Sequence, residues 1–124
     1  MDLNHLHLMV KDIALSKKFY EDLFGFKEKI WYGEDLLFLQ NSHGFDLALS
    51  PIETPLALPP GFHYGFSVKE KTRLQEIYSQ GNKLYPNCFK TPPKDYGNWG
   101  TLTCCDVDNY PFEIYWDENL HSTN

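Results

Sequence analysis

The sequence predicts an α+β fold built from two copies of a β-α-β-β-β unit, and three observations carry that prediction. In each half an apolar-rich strand run leads into a helical pattern ending at a glycine, and three short strand-like runs follow. The segment HLHLMVK, starting at His5, matches HYGFSVK, starting at His63, at its first, sixth and seventh places. A Pro-rich connector with Pro51, Pro55, Pro59 and Pro60 separates the halves and is too short to join independently folded domains. The 124 residues therefore read as a single domain, with module one at 1–51, a linker at 52–61 and module two at 62–118.

Residues 3–10, LNHLHLMV, read as the first strand, with His5 and His7 on one face. Asp12 is placed to N-cap a helix whose Ala14, Leu15, Phe19 and Leu23 recur at helical spacing. Gly25 fits the position just past the end of that helix. The runs 26–32, 35–41 and 45–51 are the next three strands, separated by Gly33-Glu34 and by the turn at 41–44. In the second half, 63–68 reads as a strand. Thr72 and Gln75 have capping-box spacing, and Leu74, Ile77 and Tyr78 form the apolar stripe of a helix that Gly81 closes. A short strand around Lys83–Pro86, a loop through Pro92 and Pro93, and strands at 99–106 and 111–116 complete the repeat.

Composition narrows the function mainly by exclusion. Eleven Lys and Arg against seventeen Asp and Glu give a net charge of −6, and the only arginine is Arg73. Without clustered cations a nucleic-acid partner is not expected. No apolar run approaches the roughly 20 residues that span a bilayer, and the first ten residues do not resemble a signal peptide. Cys88, Cys104 and Cys105 are an odd, sparse set, and adjacent Cys104 and Cys105 face opposite ways in a strand, so all three read as reduced in a cytoplasmic protein. Aromatics reach 16% of the chain, which points to a strand-rich core or an aromatic-lined cavity.

Three side chains stand out as metal donors. His5 and His63 occupy equivalent places in the two halves, and Glu113 interrupts the apolar-aromatic run PFEIYW. A carboxylate there is costly to bury unless it is paired or bound to a cation. Taken singly, a strand histidine is ordinarily structural or exposed, and a glutamate is ordinarily solvated. Taken together, two imidazoles and a carboxylate make a facial set that leaves positions open for substrate or water.

The segments LNHLHLMVKDIALSKKFYEDLFGF (3–26), HYGFSV (63–68) and DVDNYPFEIYW (106–116) resemble the vicinal oxygen chelate superfamily of glyoxalases, fosfomycin-resistance thiol transferases, extradiol dioxygenases and bleomycin-resistance proteins. The resemblance implies two βαβββ modules whose mixed sheet curls around a metal cleft. It implies metal ligation by His5, which stands seven residues before Asp12 as in the family, by His63 and by Glu113. Glyoxalases of the lactoylglutathione type add a glutamate where this chain has Ala48. Fosfomycin-resistance enzymes carry a downstream arginine, whereas the C-terminal WDENLHSTN is acidic and has none. Val107 and Asn109 stand where the family's Asp-Pro-Asp-Gly turn commonly has Pro and Gly.

The function expected from this reading is that of a metal-dependent glyoxalase- or dioxygenase-type enzyme. A divalent ion (Fe, Mn, Ni, Co or Zn) would chelate neighbouring oxygens of a small substrate and stabilise an enolate or alkoxide. Glu113 is the expected catalytic carboxylate as well as a ligand. His7 reads as a general base, a hydrogen-bonding group for substrate, or a polar core residue. Tyr115 shares the face of Glu113, and Tyr96 and Trp99 lie in a loop that is either a lid or a plug. The resemblance also implies a homodimer whose sites combine strands of both protomers. The competing reading is a metal-free, ligand-sequestering protein of the bleomycin-resistance type, whose acidic, aromatic cleft would take a cationic drug.

Overall fold

The computed structural model describes residues 1–54 and 56–121, with the side chains of 120 and 121 excepted. Pro55 of the connector and residues 122–124 of the acidic C-terminal segment lie outside the described residues. The chain divides into two compact units, Met1–Ala57 and Leu58–Asn124.

In the first unit, β1 (His5–Val10) leads into α1 (Ile13–Phe24), followed by β2 (Lys27–Tyr32), β3 (Leu36–Gln40) and β4 (Asp46–Pro51). The four strands form one mixed sheet in the order β1-β4-β3-β2, with β1 parallel to β4 and the other pairs antiparallel. Asp12 caps α1 by accepting the Leu15 N–H at 3.2 Å. Gly25, at φ 68°, ends the helix in the left-handed conformation that the sequence assigns to it. The face that α1 buries is Ser16, Phe19 and Tyr20, whereas Leu15, expected on the apolar stripe, is 48% exposed. Tyr20 meets Phe19 and Phe26 edge-on at 5.1 and 6.0 Å, and Leu8, Val10, Leu37, Leu39, Leu47 and Leu49 are buried with them.

The second unit repeats the plan with β5 (Tyr64–Ser67), α2 (Thr72–Leu84), β6 (Lys94–Asp95), β7 (Trp99–Cys105) and β8 (Pro111–Asp117), ending in a 3₁₀ turn at Glu118–His121. Its sheet runs β5-β8-β7-β6, again with the first pair parallel. The two sheets and two helices are the α+β arrangement that the repeat predicts. Asp106 leaves β7 and anchors the turn before β8, where its Oδ1 accepts the N–H groups of Asp108 and Tyr110, each at 2.9 Å. Asn109 takes φ 65° there, the left-handed conformation that asparagine tolerates better than most residues.

Two expectations for the second half are corrected. Gly81 does not close α2; the helix continues to Leu84, so no strand forms around Lys83–Pro86, and β6 is a two-residue strand farther along the chain at Lys94–Asp95. The glycine is there for space. A Cβ at Gly81 would stand 2.5 to 2.7 Å from the ring carbons of fully buried Phe89. Gly81→Ala is therefore expected to destabilise the chain by about 1–3 kcal/mol, as overpacking against a rigid ring does, in spite of alanine's higher helix propensity; a stabilised variant in urea unfolding would refute this. The capping box is also absent. Thr72 is the first helical residue after Lys71, no side chain caps the helix, and Gln75 bonds Ser79 instead.

Six aromatics are buried, Phe19, Tyr20, Phe26, Phe89, Tyr110 and Phe112, whereas Trp31, Tyr32, Phe62, Tyr96 and Trp99 are exposed. Phe112 stacks on Tyr64 at 5.5 Å and meets Phe66 and Phe89 edge-on. Among the described residues no helix is long and apolar enough to cross a membrane.

Candidate functional site

The site begins with the alternation of β8. Phe112 and Ile114 are buried, so Glu113 and Tyr115 fall on the opposite face of the sheet. Glu113 lies in register with Gly65 of β5 on one side and Thr103 of β7 on the other. A side chain at Gly65 would press on it: a Cβ there would meet Glu113 Cγ at 3.4 Å and Oε1 at 3.8 Å. Gly65 thus leaves the carboxylate room to stand off the sheet. From β7, the Thr101 hydroxyl donates to Glu113 Oε2 at 3.4 Å.

His63 stands just before β5 and brings its ring to the other oxygen, with Nε2 3.8 Å from Glu113 Oε1. Its Nδ1 donates to the Gly61 carbonyl oxygen at 2.9 Å. A carbonyl can only accept, so Nδ1 carries a proton, and Nε2 is the nitrogen turned toward the carboxylate. A cation between the two, either a proton on Nε2 or a metal ion, would satisfy both groups. The separation suits a metal. Two donor bonds of about 2.1 Å to one ion allow donors up to ~4.2 Å apart, and an Nδ1–H···O=C bond is the outer contact that ordinarily orients a ligating imidazole. Both side chains are part-exposed, 52% for His63 and 40% for Glu113, so the pair is open to an entering ligand.

His5 and His7 belong to the first unit, where they share one face of β1. His5 Nδ1 bonds Asn4 Oδ1 at 2.9 Å. His7 is not a core residue; it is exposed, lies in register with buried Ala48, and its Nε2 bonds the Ser50 hydroxyl at 2.7 Å. Ser50→Ala is expected to free this ring, moving the His7 imidazole nitrogen resonances while leaving those of His63 in place; unmoved His7 resonances would rule out a role for Ser50 in setting its orientation. The structure brings His63 and Glu113 together, and among the described residues no three His, Cys, Asp or Glu side chains form a group that could hold a metal ion.

Tyr115 lies in register with Ser67 and Thr101 on the Glu113 face. Tyr96 and Trp99 stack on each other at 4.2 Å in an exposed hairpin that Lys71 braces through Asp95 and the Gly97 carbonyl. Gly65, Thr101 and Ser50 are the residues that sequence reasoning missed. Strand alternation alone would have placed Thr101 on one side of β7, but its partner depends on the β7–β8 register.

The glyoxalase/bleomycin resistance protein/dioxygenase superfamily model matches residues 2–114. The chain belongs to this superfamily. Solved structures of similar fold include a possible glyoxalase from Bacillus cereus, at 23% identity and a TM-score of 0.77, covering 92% of this chain and 97% of the other. The fosfomycin resistance protein FosX from Listeria monocytogenes is similar at 19% identity and a TM-score of 0.78, covering 94% of this chain and 93% of its own. Lactoylglutathione lyase from Agrobacterium tumefaciens is similar at 16% identity and a TM-score of 0.72, covering 97% and 96%. At these identities the likeness is one of fold. A comparison with curated proteins returns no match. The superfamily fold accounts for the parallel β1–β4 and β5–β8 pairs, and the second of these sets His63 beside Glu113.

Proposed function

We propose that this superfamily member is a metal-dependent enzyme acting on a small molecule with neighbouring oxygens, its divalent cation held by His63, Glu113 and His5. The observation that carries the reading is the His63–Glu113 pair, in which a ring held by Gly61 turns Nε2 toward a carboxylate. When bound, such a cation supplies Lewis acidity that stabilises an enolate or alkoxide as charge develops. Imidazole and carboxylate donors suit Fe, Mn, Co, Ni or Zn.

The chain's own residues divide the remaining work. Gly61 and Thr101 orient the two donors of the second unit, and Gly65 keeps the carboxylate clear of the sheet. Ser50 holds the His7 ring, which moves a proton to or from substrate as general base. The reaction is a lyase, isomerase, transferase or ring-cleaving step, and Ala48, where lactoylglutathione-type enzymes have a glutamate, speaks against that particular lyase. Two copies form the working particle, and the third donor, His5, comes from this chain or its partner.

The test is metal content after His5→Ala, read by elemental analysis of protein never exposed to chelator. The expected result is loss of most of the bound metal. Full retention would remove His5 from the donor set, and a wild-type protein without metal would favour the ligand-sequestering alternative.

A further inference from the structure

The second unit holds three free thiols, and two of them meet. Alternation along β7 turns Cys104 into the core, with its Sγ toward the Leu102 carbonyl, and Cys105 to the opposite face, the one shared by Thr101, Thr103 and Glu113. Cys105 then lies over the turn that precedes it in sequence. Its backbone N–H donates to the Cys88 carbonyl at 3.2 Å, and its Sγ is 3.6 Å from the Asn87 carbonyl oxygen and 3.8 Å from Asn109 Oδ1. A backbone hydrogen bond between the two cysteines brings their main chains within the reach that a disulfide requires.

We propose that Cys88 and Cys105 are a modification site that closes to an intrachain disulfide under hydroperoxide, with Cys105 the attacking thiol and Cys88 the resolving one. The roles follow from their surroundings. Cys105 is part-exposed and Cys88 is buried, so peroxide meets Cys105 first. Burial pushes the Cys88 thiol up to about 12, which removes it as the first nucleophile. Burial raises Cys105 as well, and Cys105 is the more exposed of the two. In the first step the Cys105 thiolate takes one oxygen from the peroxide, whose other oxygen leaves as water after protonation, giving a sulfenic acid. In the second, the Cys88 sulfur attacks the Cys105 sulfur, the S–O bond breaks, and the hydroxyl leaves as a second water with the Cys88 proton. Two thiols are oxidised, and the peroxide is reduced to two waters.

The bridge does not depend on the metal reading, since it uses neither His63 nor Glu113. It would tie the turn at Cys88 to the strand end two residues from the partner of Glu113, because Cys105 pairs with Pro111.

The test treats the reduced full-length protein with hydrogen peroxide and reads intact mass, free thiols and peptide linkage. The expected result is loss of two hydrogens, a fall from three alkylatable thiols to one after unfolding, a Cys88–Cys105 peptide, full reversal by dithiothreitol, and faster closure as pH rises. Cys88→Ser should instead leave Cys105 as a sulfenic acid that dimedone traps, and Cys105→Ser should abolish the bridge. A bridge through Cys104, a link between chains, or thiols inert at peroxide levels that oxidise the urea-unfolded chain would each overturn the proposal.

Discussion

Glu113→Gln is expected to weaken binding of a divalent transition metal by about a hundredfold or more, because loss of even an outer partner of a ligand costs roughly 10–100-fold. The amide keeps the size and the hydrogen bond with Thr101 but removes the charge and one of the two donors that the second unit offers. Stability of the metal-free protein should scarcely move, by under ~0.5 kcal/mol, since the side chain is 40% exposed and the amide keeps its size. Competition with a chromogenic chelator measures the first quantity and thermal unfolding the second. Unchanged affinity would take Glu113 out of the donor set, and a large loss of stability would mean that the carboxylate is structural.

One residue earlier in β8 the expected outcome reverses. Phe112→Ala should cost about 3–5 kcal/mol, the range for removing a buried ring. Phe112 is 1% exposed and touches Tyr64, Phe66 and Phe89, so truncation opens a cavity where β5, β8 and the loop after α2 meet. Urea unfolding followed by circular dichroism gives the value directly. A loss below ~1 kcal/mol would show that this cluster can collapse around the gap. The contrast between neighbours expresses one geometric fact: strand alternation commits Phe112 to the core and Glu113 to the open face.

Much of this was legible before any coordinates. Asp12 and Gly25 bracket α1 as their residue types require, and the period-2 pattern of PFEIYW sets Phe112 and Ile114 against Glu113. Residue type alone does not assign Gly81, because a missing side chain serves either a helix end or a close approach. The choice is made by Phe89, whose position depends on a loop that local pattern does not describe. The capping box is absent because Thr72 is already the first helical residue and Lys71, whose side chain has no acceptor, stands at the cap. Within the site, the repeat points to His63 and the interrupted run PFEIYW to Glu113, but their approach depends on parallel pairing of strands far apart in sequence. The Gly61 contact that holds the His63 ring, the Ser50 contact of His7 and the meeting of Cys88 with Cys105 have no signature in residue spacing.

The central claim is that the second unit's imidazole and carboxylate face each other across a cation. The most direct test is elemental analysis of the purified protein, never exposed to chelator, beside His63→Ala and Glu113→Gln prepared in the same way. The account predicts about one equivalent of a divalent transition metal per wild-type chain and strong depletion in both variants. Wild-type protein well below one equivalent, or variants that retain the wild-type metal content, would contradict it.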